Sequence, residues 1–375
     1  MIGNKKVINE YNGLDVYISE LVTEKHCDNN VLIVCGKNSF IKCGAADVIK
    51  RRLDKNNIFY FKEFEKNPKI EDAKVGAKLA RELNVTLILA IGGGSAIDTA
   101  KLIKTFMHNE GLEEAIAAGV AKNIKIPKVE LLAVPTTAGS GSESTHFAVV
   151  YIGDDKYSIP NPNIIPDTVI LDGSLIKTGS KYLKACNVLD ALSQALESAW
   201  SVNSTSLSRS YSHKAIPLIM KHGAEYVAGN CQGKVLQEII TASNYAGKAI
   251  NISKTTAPHA WSYAFTSKYG IPHGHAVWLT LPKIFQVHFY KAMEASDFIS
   301  SEMAGLIDML GIQNPNHSEL YLSEFCRSLD VELDFEKLKI GRSDREQISR
   351  KVNLERLKNN PFELDQIDIT NIFNL

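Results

Sequence analysis

Residues 85–95 read VTLILAIGGGS. The run from Val85 to Ile91 is apolar almost throughout, the pattern of a strand covered on both faces, as in a parallel sheet. Three glycines stop it, and residues 96–105 then take helical spacing. Upstream, residues 30–35 (NVLIVC) and 58–61 (IFYF) read as further strands, with amphipathic helical spacing over 45–53 and 70–83. Downstream, residues 130–134 (ELLAV) form another buried strand. This alternation predicts an α/β fold built on a doubly wound parallel sheet.

Further along, the texture changes. Residues 148–152 and 168–171 read as later strands or hairpin arms, and the Pro/Asn-rich stretch 159–166 reads as loop. From residue 180 the periodicity is helical, over 183–201, 206–228, 235–249 and 276–287, followed by shorter helices. His259 follows Pro258 at the start of a helix, and His273 sits in a turn flanked by Gly and Pro. The expected division is an α/β domain over residues 1–177 and an all-helical domain over 178–375.

Composition narrows the function. Lys+Arg and Asp+Glu both number 42, so the formal net charge is zero, and no basic stripe gives the footprint of a nucleic-acid binder. No apolar run reaches membrane-spanning length, and the first residues lack the apolar core of a signal peptide. Cys27, Cys35, Cys43, Cys186, Cys231 and Cys326 are scattered without a C-x-x-C pair, which reads as reduced thiols. The expectation is a cytoplasmic homodimer that acts on a small molecule, with neither nucleic acid nor membrane as partner.

Two loops carry a dinucleotide signature. Gly92, Gly93, Gly94 and Ser95 lie between a buried strand and a helix, where backbone N–H groups and the helix dipole can meet a diphosphate. The stretch is not the G-x-G-x-x-G fingerprint, and by itself it also suits a tight strand-to-helix turn. A second loop, PTTAGSGSE over 135–143, follows another buried strand. Its small and hydroxyl residues can lie flat against a ribose and a nicotinamide. Both loops would open at the carboxyl edge of the sheet, where ligands bind.

In the helical half, Asp190 and Gln194 are four residues apart and share one helix face. His259 and His273 follow far downstream. Singly, each of these residues reads as an ordinary polar side chain. Together, one carboxylate and two imidazoles make a workable catalytic set for a divalent ion such as zinc, with a position left for water or substrate.

At this point the sequence resembles the iron-type (group III) alcohol dehydrogenase superfamily, which also includes glycerol dehydrogenase and dehydroquinate synthase. The resemblance runs nearly end to end, through GGGSAIDTAK (92–101), PTTAGSGSE (135–143), PDTVILD (166–172), DALSQALE (190–197), APHA (257–260), IPHGHAV (271–277) and the tail 357–373. It implies a dehydroquinate synthase-like architecture: an N-terminal dinucleotide-binding domain and a C-terminal helical metal-binding domain, with the metal in the cleft between them. Carried over, Gly92, Gly93, Gly94 and Ser95 bind the diphosphate, with Asp98 and Lys101 in the same motif. Thr136, Thr137 and Ser140 line the ribose and nicotinamide. Asp190, His259 and His273 fall on the metal-ligand positions.

Three departures from the family pattern matter. Iron-dependent members usually have His where this chain has Gln194, which leaves an Asp/His/His set with Gln194 as a weak oxygen ligand. That favours zinc over iron, as in glycerol dehydrogenase, although metal supply can override it. Tyr263 replaces a second His that many members carry four residues after the first downstream ligand. Gly36 and Lys37 stand where an acidic residue often excludes a ribose 2′-phosphate, so either NAD or NADP is expected.

The stretches SESTHFAVVY, DDKYSIPN, ALESAWSVNST and PHGHAV resemble a narrower subgroup that includes phosphonoacetaldehyde reductases and an octulosonate 8-oxidase of lipopolysaccharide sugar modification. This implies a primary alcohol or aldehyde on an anionic molecule. Lys156, His146 and His275 are the residues able to face the anion. His275 also serves as the candidate proton relay, because its ordinary pKa suits proton transfer at neutral pH. Rival readings on the same scaffold are a dehydroquinate synthase-like lyase, an alcohol oxidase that passes electrons to oxygen, and a non-catalytic nucleotide-binding protein.

Overall fold

The computed structural model describes residues 3–24, 30–53, 57–109, 111–117, 124–153, 155–229, 231–295, 298–350 and 357–375. Its contacts divide the chain into two compact units, one of Met1–Gly179 with Gln232–Asn244, the other of Ser180–Cys231 with Tyr245–Leu375.

The strands of the first unit are β1 (Lys6–Asn9), β2 (Asn30–Cys35), β3 (Ile58–Phe61), β4 (Val85–Gly92), β5 (Glu130–Pro135), β6 (Phe147–Ile152), β7 (Asp155–Pro160) and β8 (Thr168–Leu171). Its helices are α1 (Gly13–Ser19), α2 (Ser39–Lys42), α3 (Ala45–Arg52), α4 (Ile70–Glu82), α5 (Gly94–Phe106) and α6 (Glu113–Ala117). Six strands make one parallel sheet in the order β1-β8-β5-β4-β2-β3. Leu87 to Ile91 are at most 1% exposed, which confirms β4 as a strand covered on both faces. Val31, Ile33, Leu87, Leu89 and Ile91 pack with Leu14 and Ile18 of α1 and Ile49 of α3. On the opposite face α4 and α5 lie against β4.

This topology places the ligand edge. The chain steps outward from β2 to β3 on one side and from β4 to β5 on the other. The switch therefore falls between β2 and β4, and a crevice opens at their carboxyl ends. Gly36 leaves β2 there and Gly92 ends β4.

Several expectations need correction. Strand β1 was not legible, because only Ile8 of its four residues is buried. Its place comes from pairing with β8, Val7 beside Val169 and Ile8 beside Ile170. The expected loop over 159–166 is shortened, since β7 runs to Pro160 as the antiparallel arm against β6. Pro is tolerated at the end of such an edge strand.

The domain division also shifts. Residues 178–179 and 232–244, placed by sequence in the helical half, pack with the sheet. Gln237 explains the second segment. Its amide oxygen accepts from Gly173 N at 2.8 Å, and its amide nitrogen donates to Leu171 O at 2.8 Å and Asn9 Oδ1 at 2.7 Å.

In the second unit every regular element among the described residues is helical: α7 (Lys181–Trp200), α8 (Ser206–Ala228), the later half of α9 (Gly233–Ser253), α10 (Ala257–Tyr269), α11 (His273–Trp278), α12 (Leu281–Glu294), α13 (Phe298–Leu310), α14 (Ser318–Ser328), α15 (Arg342–Arg350) and a last helix, Gln366–Phe373. The expected helix over 276–287 is two helices. Pro282 lies in the first turn of α12, where its missing N–H costs nothing; inside a continuous helix it would break a hydrogen bond. His273 is not in a turn but is the first residue of α11, after the N-cap Pro272. The core gathers Trp261, Phe265, Phe335, Ile372 and Phe373, with Phe373 edge-on to Trp261 at 5.2 Å.

None of the described helices is long and apolar enough to cross a membrane. None of the five described cysteines forms a disulfide, and Cys27 lies outside the described residues.

Asp172 joins the end of β8 to the start of α1. Its carboxylate accepts from Asn12 N at 2.9 Å, Leu14 N at 3.1 Å and Ser174 N at 2.9 Å. Asp172→Ala leaves Leu14 N, the buried one of these donors, without its acceptor, and the expected loss is about 1–3 kcal/mol of unfolding free energy, read from a urea midpoint.

Candidate functional site

The ligand edge of the first unit is built by glycine. Gly92 pairs with Pro135 across β4 and β5, and Thr136 N donates to Gly92 O at 2.9 Å. The two expected loops are therefore adjacent. A Cβ on Gly93 would lie 3.1 Å from Thr137 Oγ1, and one on Gly94 would lie 2.8 Å from Ser140 Oγ. Only glycine lets the loops close this far.

Helix α5 begins with Gly94, and its N-cap is Gly93, which offers no side-chain cap. Ser95 does not cap it either; its hydroxyl donates to Lys66 O. An uncapped helix start at the carboxyl edge of a parallel sheet fits a diphosphate.

Asp98 and Lys101 hold the second loop from beneath. Ser142 Oγ donates to one Asp98 oxygen, and Val149 N donates to the other at 3.1 Å. That carboxylate, expected among the dinucleotide contacts, is committed to protein donors. Lys101 is fully buried, and its Nζ donates to Ser142 O at 2.6 Å, Thr145 O at 2.9 Å and Phe147 O at 2.9 Å. Burial pushes the Lys101 ammonium down to about 8, against the pull of nearby Asp98.

In the second unit, α7 buries three polar side chains at i, i+4 and i+7: Asp190, Gln194 and Glu197. Burying such groups is costly unless they find partners. Glu197 Oε1 accepts from His259 Nδ1, and its Oε2 accepts from Thr256 N at 2.6 Å and Thr256 Oγ1 at 2.8 Å. The other face of the His259 ring turns Nε2 to Asp190 Oδ1, 3.5 Å away. Burial disfavours the imidazolium, but Glu197 and Asp190 outweigh it and raise the His259 pKa to about 9.

His273 comes from α11. Its ring stands edge-on to His259 at 5.1 Å, and Tyr263 stacks on its far face, parallel to within 1° at 5.7 Å. Ser262 Oγ donates to His259 O at 2.8 Å and lies 3.3 Å from His273 Nδ1. The hydroxyl proton is committed to the carbonyl, so Ser262 accepts from His273 Nδ1–H, which puts the imidazole lone pair on Nε2.

The structure thus brings Asp190, His259 and His273 together, with one donor atom from each within 4.8 Å of the others. Asp190 Oδ1 is buried and accepts no hydrogen bond among the described residues. An orphaned carboxylate oxygen 3.5 Å from an imidazole nitrogen has about the spacing of two ligands on one ion, given bonds of roughly 2 Å. The donor set fits a divalent metal. Gln194 is buried one turn along from Asp190.

The remaining candidates fall elsewhere. His275 is buried, with Nδ1 2.8 Å from Tyr182 Oη and Nε2 2.6 Å from Glu332 O. Both nitrogens are engaged and burial lowers its pKa. This ring, expected as a proton relay, bridges Tyr182 and the Glu332 backbone. His146 immediately precedes β6, and Lys156 lies in β7.

Glu197 is the site residue that sequence reasoning passed over. Its signal was the seven-residue spacing from Asp190 along α7, which repeats the ligand face two turns on.

Residues 12–173 match the family model for iron-containing alcohol dehydrogenase, and residues 184–375 match that for the C-terminal part of Fe-containing alcohol dehydrogenases. The chain belongs to the iron-containing alcohol dehydrogenase family. It is 30% identical to the phosphonoacetaldehyde reductase of Streptomyces viridochromogenes over 228 residues, 59% of this chain and 57% of that protein. It is 31% identical to the bifunctional aldehyde-alcohol dehydrogenase AdhE of Escherichia coli over 281 residues, 70% of this chain and 31% of that protein. The matched stretches thus span less than two thirds of either relative. Among solved structures, the sulfoacetaldehyde reductase of Bifidobacterium kashiwanohense in complex with NAD+ shares the fold at a TM-score of 0.87 and 23% identity, over 99% of this chain and 96% of that one. The iron-containing alcohol dehydrogenase of Thermotoga maritima gives a TM-score of 0.80 at 25% identity, over 99% and 97%.

Gly274 lets α11 approach α7 at the ligand position. A methyl there would overlap the Cys186 carbonyl oxygen and lie 2.9 Å from Asp190 Cβ. Gly274→Ala is expected to cost about 1–3 kcal/mol by overpacking and to abolish stoichiometric metal uptake, as measured by elemental analysis after dialysis.

Proposed function

We propose that this chain is a metal- and nicotinamide-dependent oxidoreductase that interconverts a primary alcohol and an aldehyde on a small anionic substrate. The observation that carries the reading is the convergence of Asp190, His259 and His273, with Asp190 Oδ1 buried and unmatched. When bound, the ion would polarise the alcohol or aldehyde oxygen while the nicotinamide takes or gives the hydride. The chain's own part is to present those donors through the imidazole Nε2 atoms, and to receive the diphosphate on the start of α5.

Iron is the proposed ion. Two imidazoles and one carboxylate suit ferrous iron, and the family is the iron-containing one. The zinc expected from Gln194 has no support beyond that residue.

An anionic aldehyde is supported by the names of two similar proteins, which act on phosphonoacetaldehyde and sulfoacetaldehyde. His146 and Lys156 give the first unit basic groups for such a substrate. NAD is supported by the bound neighbour. Tolerance of NADP rests on Gly36 and on Lys37, which pairs with Glu63 at 2.6 Å on the surface.

Absorbance at 340 nm tests the reading on phosphonoacetaldehyde, sulfoacetaldehyde and uncharged aldehydes of like size. The expected result is iron-dependent oxidation of NADH, fastest on an anionic aldehyde, falling at least about a thousandfold in a His259→Ala/His273→Ala protein, a loss of about 4 kcal/mol in transition-state stabilisation. Full turnover by that protein after chelation, or substrate consumption without net NADH change, would overturn it.

A further inference from the structure

We propose that Glu197 is a positioning residue that fixes which nitrogen of His259 faces the metal and balances the charge of the ion; this rests on the metal reading above. Hydrogen-bond directions around Glu197 are forced. Trp200 Nε1 can only donate, and it donates to Thr256 Oγ1 at 3.0 Å. The Thr256 hydroxyl then turns its own proton to Glu197 Oε2, at 2.8 Å. Thr256 N, also only a donor, reaches the same oxygen at 2.6 Å.

Two donors thus occupy Oε2, leaving Oε1 for His259 Nδ1. Oε1 accepts, so Nδ1 carries the proton, and Nε2, which faces Asp190, is the nitrogen left to hold the ion when the site is loaded. Glu197 is 0% exposed, and no water competes for this choice. Its charge also matters. Asp190 and Glu197 bring two carboxyl groups into a largely buried site, 6% and 0% exposed, where a divalent cation would balance their charge.

Glutamine at this position has one acceptor where two are needed. With its oxygen toward Thr256, its NH2 meets Nδ1, forces the proton to Nε2 and removes the ligand. With its oxygen toward Nδ1–H, its NH2 meets two donors. Either arrangement fails, although the side chain has the same size. Outer partners of a ligating histidine typically carry roughly a 10–100-fold effect on metal affinity.

The test uses Zn2+ as probe, with Kd from chelator competition on wild type, Glu197→Gln and Ser198→Ala. The last removes a buried α7 hydroxyl that accepts from Ser253 Oγ of α9 at 2.7 Å, and it controls for general loosening of α7. Glu197→Gln is expected to bind zinc roughly 10–100-fold more weakly, and Ser198→Ala to match wild type. In parallel, 15N-histidine NMR of the zinc-loaded wild type should show His259 protonated at Nδ1, a readout that needs no variant to fold. Equal zinc affinity in a folded Glu197→Gln protein, an equal loss in Ser198→Ala, or a His259 Nδ1 without its proton would overturn the role of Glu197 alone. A wild type with no measurable zinc affinity would overturn both this role and the metal reading.

Discussion

One buried helix face governs the second unit: Asp190 and Glu197, seven residues apart on α7, place two carboxylates out of solvent with His259 between them. Such a face is unfavourable in an apolar interior unless cations and donors converge on it. Thr256, His259 and, through α11, His273 supply that convergence. The approach of α11 rests on Gly274, and the start of α10 rests on the two hydrogen bonds that Thr256 gives Glu197. The helical packing and the ligand geometry are therefore one arrangement, and a fault in either is felt in the other.

The first unit meets a similar constraint with different chemistry. There the problem is to hold two flexible, glycine-rich loops in register at the carboxyl edge of a sheet. A buried ammonium solves it from below, since Lys101 draws the backbone carbonyls of Ser142 in the second loop and of Thr145 and Phe147 just after it onto α5. Asp98 fixes Ser142 and Val149 beside it. Glycines 93 and 94 solve it from above by letting Thr137 and Ser140 pack close. The residues that touch a ligand can then be few and small, because the shape of the edge is set by groups that never reach it.

How much of this was legible depended on whether the signal was local. Buried strands such as β2 and β4 announce themselves through long apolar runs, and the observed bounds of β2, β3 and β4 agree closely with the expected ones. The grouping of Asp190, His259 and His273 was legible through motif order. Strand β1 was not, because KVIN has one buried residue and owes its conformation to β8. The break before α12 was visible in Pro282 and was overridden by the apolar period around it. His275 looked like a relay because it is close in sequence to His273. Its partners Tyr182 and Glu332 are 93 and 57 residues away, beyond any local pattern. Glu197 looked like one more glutamate on an amphipathic helix until its burial was known.

On the proposed reading, Asp190, His259 and His273 hold one divalent ion. X-ray absorption at the metal edge of the ion-loaded protein tests it most directly. The expected spectrum has a nitrogen and oxygen first shell at about 2.1 Å, with the outer-shell scattering of two imidazoles, reduced to one in His273→Ala. A sulfur ligand, or a shell without imidazole scattering, would contradict it.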